Sequence, residues 1–459
     1  MKECNDIRGA VHVDEGDDIG KTLLIFCIPV LISQLMQEMY NAADCSVVGH
    51  FGGTAALAAT GTGALPLSVI INFFVGFSSG VSAVTARLFG SRDHERLVGI
   101  VSSLIRMTIV SGALMGLAMY LSAGYYLDAT AVPPDVISSA LVYLRICSLG
   151  IVAQMINNMT TSILRSVGDT SSPMRCFVLS AVINLIGDVV LVAVLKKGVA
   201  GAAAATVASQ YLLSFLLLKR MREAMRITVL SGKGSKDREA LSILMRSLPA
   251  GMQALFMSIS SILIRFHINA FGSDVIAGMN VFGRIEGLCY LPSFAFGIAL
   301  TGFVGQNAGA GKPERIRQSV AVSIRSMIIV MVPLSFLLCL AAPMLAHVFT
   351  SKEEIIINAV EAVRYTLPLY AVYAVNQVYL GAVKGMGDTV WPMICTLISY
   401  ALFRVLWVDI LLERFATMKV IYLSYSVSFL LMLVLILPRY LMLYRRTEAQ
   451  CRDIRSPQI

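Results

Sequence analysis

Ala181-Val-Ile-Asn-Leu-Ile-Gly-Asp-Val-Val-Leu-Val-Ala-Val-Leu195 is an apolar run of membrane character with one acid, Asp188, in its middle. A carboxylate at bilayer depth costs roughly 2.5 kcal/mol or more, so it persists where it faces a cavity, an ion or a partner. Asn184 stands one helical turn before Asp188, which puts both side chains on one helix face. Two oxygen-bearing groups deep in an apolar helix read as half of a cation or proton site. The rest of the chain has to supply the other half.

The whole chain has the same character. Its 459 residues are 57% hydrophobic and 14% charged, with mean hydropathy +0.75. Soluble domains are about 25% charged. The reading is an all-α polytopic membrane protein. Its apolar runs last about 20 residues without the period-two alternation of barrel strands. The nine cysteines are scattered, most of them inside apolar runs, with no C-x-x-C or Cys/His cluster. They read as small core residues, not as a metal site or a disulfide frame. The polar, acidic opening MKECNDIRGAVHVDEGDDIG lacks the pattern of a cleaved signal peptide.

Twelve spans are expected: Thr22–Cys45, Ala55–Ser79, Val98–Leu121, Val136–Leu164, Cys176–Leu195, Val199–Leu218, Ile243–Phe271, Val275–Gly302, Val320–Phe349, Ile356–Val383, Pro392–Leu412 and Val420–Leu443. Asp409, Glu413 and Arg414 shorten the eleventh. The connections alternate in charge. One side gathers roughly 25 Lys and Arg and the other about 5, which places the basic side and both termini in the cytoplasm. The net charge of +9 is then a topology signal with anionic-lipid contact, and nucleic-acid binding is set aside. The localisation expected is a multi-pass protein of the cell (cytoplasmic) membrane.

The chain repeats itself. Gly168-Asp-Thr-Ser-Ser-Pro173-Met-Arg-Cys176 returns 219 residues later as Gly387-Asp-Thr-Val-Trp-Pro392-Met-Ile-Cys395. Six spans separate the copies, so both enter the membrane in the same orientation. Two six-helix bundles related by a pseudo-twofold axis along the membrane normal follow. The organisation expected is a cytoplasmic tail over 1–21, an N-lobe over 22–220, a flexible linker over 221–241, a C-lobe over 242–444 and a cytoplasmic tail over 445–459. The Gly-Asp-Thr-x-x-Pro turns read as helix caps, with Asp and Thr as capping groups and Pro in the first turn.

Four polar groups of the first half fall at membrane depth: Asp44, Asn184, Asp188 and Thr206. Two carboxylates close together in a low dielectric hold a proton between them or a cation. Asn and Thr oxygens would complete an all-oxygen shell suited to Na⁺. Counting forward by the repeat, Asp44 lands near Ile264-Arg265, Asn184 near Phe403-Arg404 and Asp188 near Trp407. Ion coupling is therefore expected in the first half. Glu286 is the deepest acid of the second, open to a substrate or proton role or to pairing with Arg265 or Arg404. Pro29 kinks the first span. Gln34, Gln37 and Tyr40, with Gln253, Met257, Tyr373, Asn376 and Gln377 and with Glu286, are candidates for an adaptable substrate cavity.

Asp44-Cys-Ser-Val-Val-Gly-His-Phe-Gly52, Arg165-Ser-Val-Gly-Asp-Thr-Ser-Ser-Pro-Met174 and Val304-Gly-Gln-Asn-Ala-Gly-Ala-Gly-Lys-Pro-Glu-Arg315, in that order and spacing, resemble the multidrug and toxic compound extrusion (MATE) transporters, DinF-like prokaryotic branch. The resemblance covers nearly the whole chain. It implies efflux driven by Na⁺ or H⁺, alternation between inward- and outward-open forms, an N-lobe cation or proton site at Asp44, Asn184, Asp188 and Thr206, and a bending point at Pro29. Members of another branch carry acids in spans seven and ten; span seven here has none, and span ten has only Glu361, near its start.

The function expected is a secondary active multidrug antiporter. It would export amphipathic, cationic organic compounds in exchange for Na⁺ or H⁺, without a cofactor or an obligate protein partner. The alternative is a flippase for a lipid-linked precursor, with Arg145, Arg265, Arg325 and Arg404 as candidate diphosphate ligands. An enzyme is set aside, since no H-E-x-x-H or G-x-S-x-G occurs.

Overall fold

In hydrocarbon every backbone N–H and C=O must be satisfied within the segment, and an apolar run of 20 or more residues does this as a helix. The computed structural model describes residues 18–129, 134–225 and 236–455, and these contain helices and no strand. The outer parts of both expected tails, and residues 226–235 of the expected linker, lie outside the described residues.

Among the described residues twelve helices are long and apolar enough to cross a membrane. They are α1 (Ile19–Phe51), α2 (Ala58–Gly90), α3 (His94–Ala129), α4 (Val136–Ser166), α5 (Ser171–Val194), α6 (Gly198–Met225), α7 (Asp237–Asn269), α8 (Ser273–Gly309), α9 (Pro313–Phe349), α10 (Glu353–Gly385), α11 (Val390–Phe415) and α12 (Met418–Gln450). Most run longer than the apolar runs suggest. A helix of 33 residues, such as α7, is about 50 Å long against a hydrocarbon core of about 30 Å. Hydropathy registers only the part in lipid, while strong helix formers such as Met221-Arg-Glu-Ala-Met225 carry α6 past its expected end. Likewise the backbone remains helical from Ile19 to Gly90, through the Gly-Gly-Thr stretch expected as a loop. The charges expected to shorten α11 do not end it. Asp409 pairs with His267 at 2.7 Å, and the Arg414 guanidinium lies 5.8 Å from the Phe415 ring.

The chain divides into two units, which differ slightly from the halves of the repeat. The first contains Pro29–Phe89 and Asp93–Ser247; the second contains Leu248–Ile459 with residues 18–28 and 90–92. Two of the three departures fall at prolines; the third, residues 90–92, is the turn between α2 and α3. The first helix changes unit at Pro29, and α7 changes unit one residue before Pro249. Proline deletes one rung of the helical hydrogen-bond ladder, so these are the points at which each helix bends most easily. The start of α7 is held in the first unit by Arg96–Glu239 at 2.7 Å and Arg106–Asp237 at 2.8 Å, with Ala240 and Ile243 buried beside Leu97, Ile100 and Met221. Phe26, ahead of Pro29, meets Phe303 of α8 edge to face at 6.4 Å in the second unit.

The Gly-Asp-Thr turns cap helices, with a correction in detail. Asp169 Oδ1 accepts from the Ser172 amide at 3.0 Å, and Asp388 Oδ1 accepts from the Val390 and Trp391 amides at 3.1 Å. Thr170 and Thr389 occupy the N-cap positions without a side-chain cap bond. The aspartate one residue earlier reaches the free amides first.

Candidate functional site

Three helices of the first unit bring the deep polar groups together. α6 opens with the small-residue run Gly201-Ala-Ala-Ala-Ala205, which lets α5 approach closely. A β-carbon on Gly187 would sit 3.1 Å from that of Ala205. This apposition faces Asn184 and Asp188 of α5 toward Thr206 of α6. On α1, Tyr40 and Asp44 lie one turn apart on the same face.

Asp188 is fully buried and Asn184 is 2% exposed, whereas Asp44 and Tyr40 are half-buried. Asn184 is the connector. Its amide donates to Asp188 Oδ2 at 3.0 Å, and its carbonyl accepts from the Thr206 backbone amide at 3.3 Å. The Asp44 carboxyl faces the Asp188 carboxyl, and the Tyr40 hydroxyl lies against Thr206. Four oxygens in this group are buried without a hydrogen-bond partner: Tyr40 Oη, Asp44 Oδ1, Asp188 Oδ1 and Thr206 Oγ1. Buried polar atoms are normally paired, so four orphans in one place form a donor set for a ligand that accepts oxygen lone pairs. The set holds two carboxylates and neutral oxygens, and no group of three His, Cys, Asp or Glu occurs among the described residues. A proton or a hard monovalent cation matches it better than a transition metal. α5 turns π-helical over Val189–Val194, starting at the residue after Asp188. Such segments are frequent at functional sites.

The other sequence candidates are placed as follows. Pro29 is buried within α1, and the Ser33 hydroxyl donates to its carbonyl at 2.8 Å, a back-bond that favours bending. Gln34 and Gln37 are half-buried on α1, Gln37 reaching Asn41 at 3.4 Å. Tyr40, expected as a cavity residue, stands beside the acid pair, one turn before Asp44 on the same helix.

The candidates of the second unit are largely interior. Asn376 is 0% exposed and donates to the Phe429 carbonyl at 2.8 Å. Gln253 donates to Thr396 at 3.0 Å, and Gln377 donates to the Tyr373 hydroxyl at 2.7 Å. Tyr373 is buried in an aromatic cluster with Tyr290, Tyr370 and Phe429, while Met257 is half-buried. Glu286 accepts from the Tyr370 hydroxyl at 2.9 Å and feels the charge of Arg404. Arg265, the other candidate partner, is exposed.

Sequence reasoning missed a second layer. Asp169 caps with one oxygen, and its other oxygen, Oδ2, pairs with Arg220 of α6 at 2.8 Å. Asp388 Oδ2 pairs with Arg439 of α12 at 2.7 Å. The two pairs have the same 51-residue separation and are related by the repeat offset.

Comparison with known proteins agrees with this architecture. The MatE family profile matches residues 29–190 and 249–408. A probable multidrug resistance protein of Bacillus subtilis, YoeA, is 24% identical over 442 residues, covering 94% of this chain and 95% of that protein. A Shewanella oneidensis protein named FAD transporter is 26% identical over 350 residues, covering 74% of this chain and 76% of that one. The solved structure of a MOP superfamily transporter from Pyrococcus furiosus superposes with a TM-score of 0.86 at 23% identity, covering 96% of this chain and 99% of that one.

Proposed function

Because the chain belongs to the MatE family, a family of membrane transporters and not enzymes, we propose that it exports amphipathic organic cations in exchange for Na⁺ or H⁺. The observation that carries the coupling half of this reading is the set of four orphaned oxygens around Asp44 and Asp188. An ion drives transport only when it binds one conformation better than the other, since equal affinity shifts nothing. The donors come from three helices, α1, α5 and α6, so any movement among them makes or breaks the set. Bending at Pro29, on the helix that carries Asp44, is one such movement. The basic side of the chain, with both termini, lies in the cytoplasm, and the membrane is the cell membrane.

The substrate half rests on kinship with proteins named for multidrug resistance. The flippase reading is weaker. A diphosphate site needs unengaged cations. Of the four candidate ligands only Arg404 is buried, and it is already held by the Ser428 hydroxyl at 3.2 Å and by two tyrosine rings, while Arg145, Arg265 and Arg325 are exposed, so the four leave no buried, unengaged arginine.

The test is ethidium accumulation in everted membrane vesicles under a Na⁺ gradient or a pH gradient imposed separately. One gradient drives accumulation in the wild type, and Asp188→Asn abolishes it. Unaltered gradient-driven transport in that variant overturns the assignment of Asp188. Absence of ethidium transport under either gradient, with FAD carried instead, overturns the cationic substrate class.

A further inference from the structure

We propose that the ion pair Asp169–Arg220 is a positioning device for the coupling site: it fixes the axial register of α5 against α6 and so sets ion affinity from the far end of the same two helices. The inference rests on the reading of Asp44, Asn184, Asp188 and Thr206 as the coupling site.

The argument is one of spacing. α5 and α6 run side by side in opposite directions, and three polar links tie them. At depth, the Asn184 carbonyl accepts from the Thr206 amide. Next, the Ser180 hydroxyl donates to the Ser209 carbonyl at 2.6 Å. At the end, Arg220 donates from Nε and Nη2 to Asp169 Oδ2 at 2.9 and 2.8 Å. Asp169 precedes Asn184 by 15 residues, and Arg220 follows Thr206 by 14. On helices rising 1.5 Å per residue the two arms are matched to within about 1.5 Å. All three links therefore report one register. A slip of a single residue at the outer pair would shift Thr206 by about 1.5 Å along the axis relative to Asp188, more than a cation–oxygen bond tolerates.

The outer pair is suited to hold that register. Asp169 is 3% exposed, and its other oxygen is committed to the Ser172 amide at the first turn of α5. The carboxylate thus joins the beginning of the helix that carries Asp188 to the end of the helix that carries Thr206. Both oxygens accept charge-assisted or capping bonds, which leaves little freedom at either end. The repeat supplies an internal control: Asp388–Arg439 makes the same cap-and-pair arrangement in the second unit, where the positions of Asn184 and Asp188 are taken by Phe403-Arg404 and Trp407.

The experiment is transport by purified protein in proteoliposomes, read as the half-saturating concentration of the coupling ion and the maximal rate separately. Arg220→Gln raises the half-saturating concentration about tenfold with a maximal rate within twofold of wild type. Asp169→Asn, whose amide oxygen can still cap α5, shifts it similarly. The double variant is no worse than either single, as expected when both remove one interaction. Arg220→Lys, which retains the charge, recovers most of the affinity and serves if Arg220→Gln fails to fold. Arg439→Gln breaks the equivalent pair and leaves ion affinity unchanged. Equal shifts in Arg220→Gln and Arg439→Gln, or none in either, overturn the proposal. Asp188→Asn is measured beside them. Ion dependence that survives Asp188→Asn overturns the coupling site itself. Ion dependence lost in Asp188→Asn but unmoved in Arg220→Gln overturns the positioning role alone.

Discussion

The two units use one scaffold and put opposite charge near equivalent positions of the repeat. In the first, Asn184, Asp188 and Thr206 leave acid and hydroxyl oxygens without partners. Counting forward by the repeat, Thr206 corresponds to Tyr425 and Asn184 to the Phe403-Arg404 step. There the Arg404 guanidinium lies 4.4 Å from the Tyr425 ring centre and 5.1 Å from that of Tyr400, with Nε on Ser428. Trp407, in the place of Asp188, donates its indole N–H to the Val420 carbonyl at 3.1 Å. The second unit carries a covalently attached cation close to the positions where the first leaves oxygens without partners. The lesson is that a repeat preserves contacts between helices more faithfully than chemistry. Ser162 donates to Ser78 at 3.1 Å in the first unit; the corresponding Gly381 and Gly297 touch so closely that a β-carbon on Gly381 would lie 2.5 Å from the Gly297 carbonyl oxygen.

The comparison can be broken at its strongest point first. Arg404→Leu removes a buried charged hydrogen bond and two cation–π contacts. It lowers stability by about 3 kcal/mol, while Asp188→Asn, which deletes a buried uncompensated acid, leaves stability equal or higher. Thermal unfolding in detergent checks both. A loss of equal size in the two variants would mean that the acid site is as well satisfied as the arginine. Gly381→Val is next, at about 2 kcal/mol from overpacking, seen as a fall of several degrees in the same melt. Ser162→Ala, the same position in the first unit, costs about 1 kcal/mol, the worth of one hydrogen bond.

The smallest effect belongs to Lys352, exposed between α9 and α10. Its hydrogen bond to Asp274 at 2.6 Å raises the ammonium above its ordinary value. Whatever it contributes is complete below the ordinary lysine value and fades only as pH rises through the raised one. Lys352→Met therefore melts like the wild type across neutral pH, as isolated surface pairs do. A clear difference at pH 7 would show that this pair matters more than its exposure suggests.

The fold was legible because its physics is local. Apolar runs of about 20 residues have no alternative to helices in lipid, and an offset of 219 residues recurs in plain sequence. Asn184 and Asp188 were legible as a pair because one helical turn puts them on the same face. Helix ends were less so, since hydropathy falls to nothing at the membrane surface while hydrogen bonding continues. Tyr40 was less legible, because its place one turn before Asp44 suits a lining ring as well as a site oxygen. Arg220 was hidden in a basic stretch that also carries the topology signal, and no local pattern separates a paired arginine from a solvated one.

The sequence by itself determined the class, the number of spans, the repeat and the acids at depth, because each follows from the composition or periodicity of a single segment. The tertiary structure alone decided which of those groups meet. Asn184 bridges Asp188 to Thr206 because small residues let α5 and α6 close together, and Asp169 chooses Arg220 from a run of cations because the packed helices offer that one within reach. Pairings between segments depend on register and approach distance, and those are properties of helices in contact, which no single stretch of sequence records.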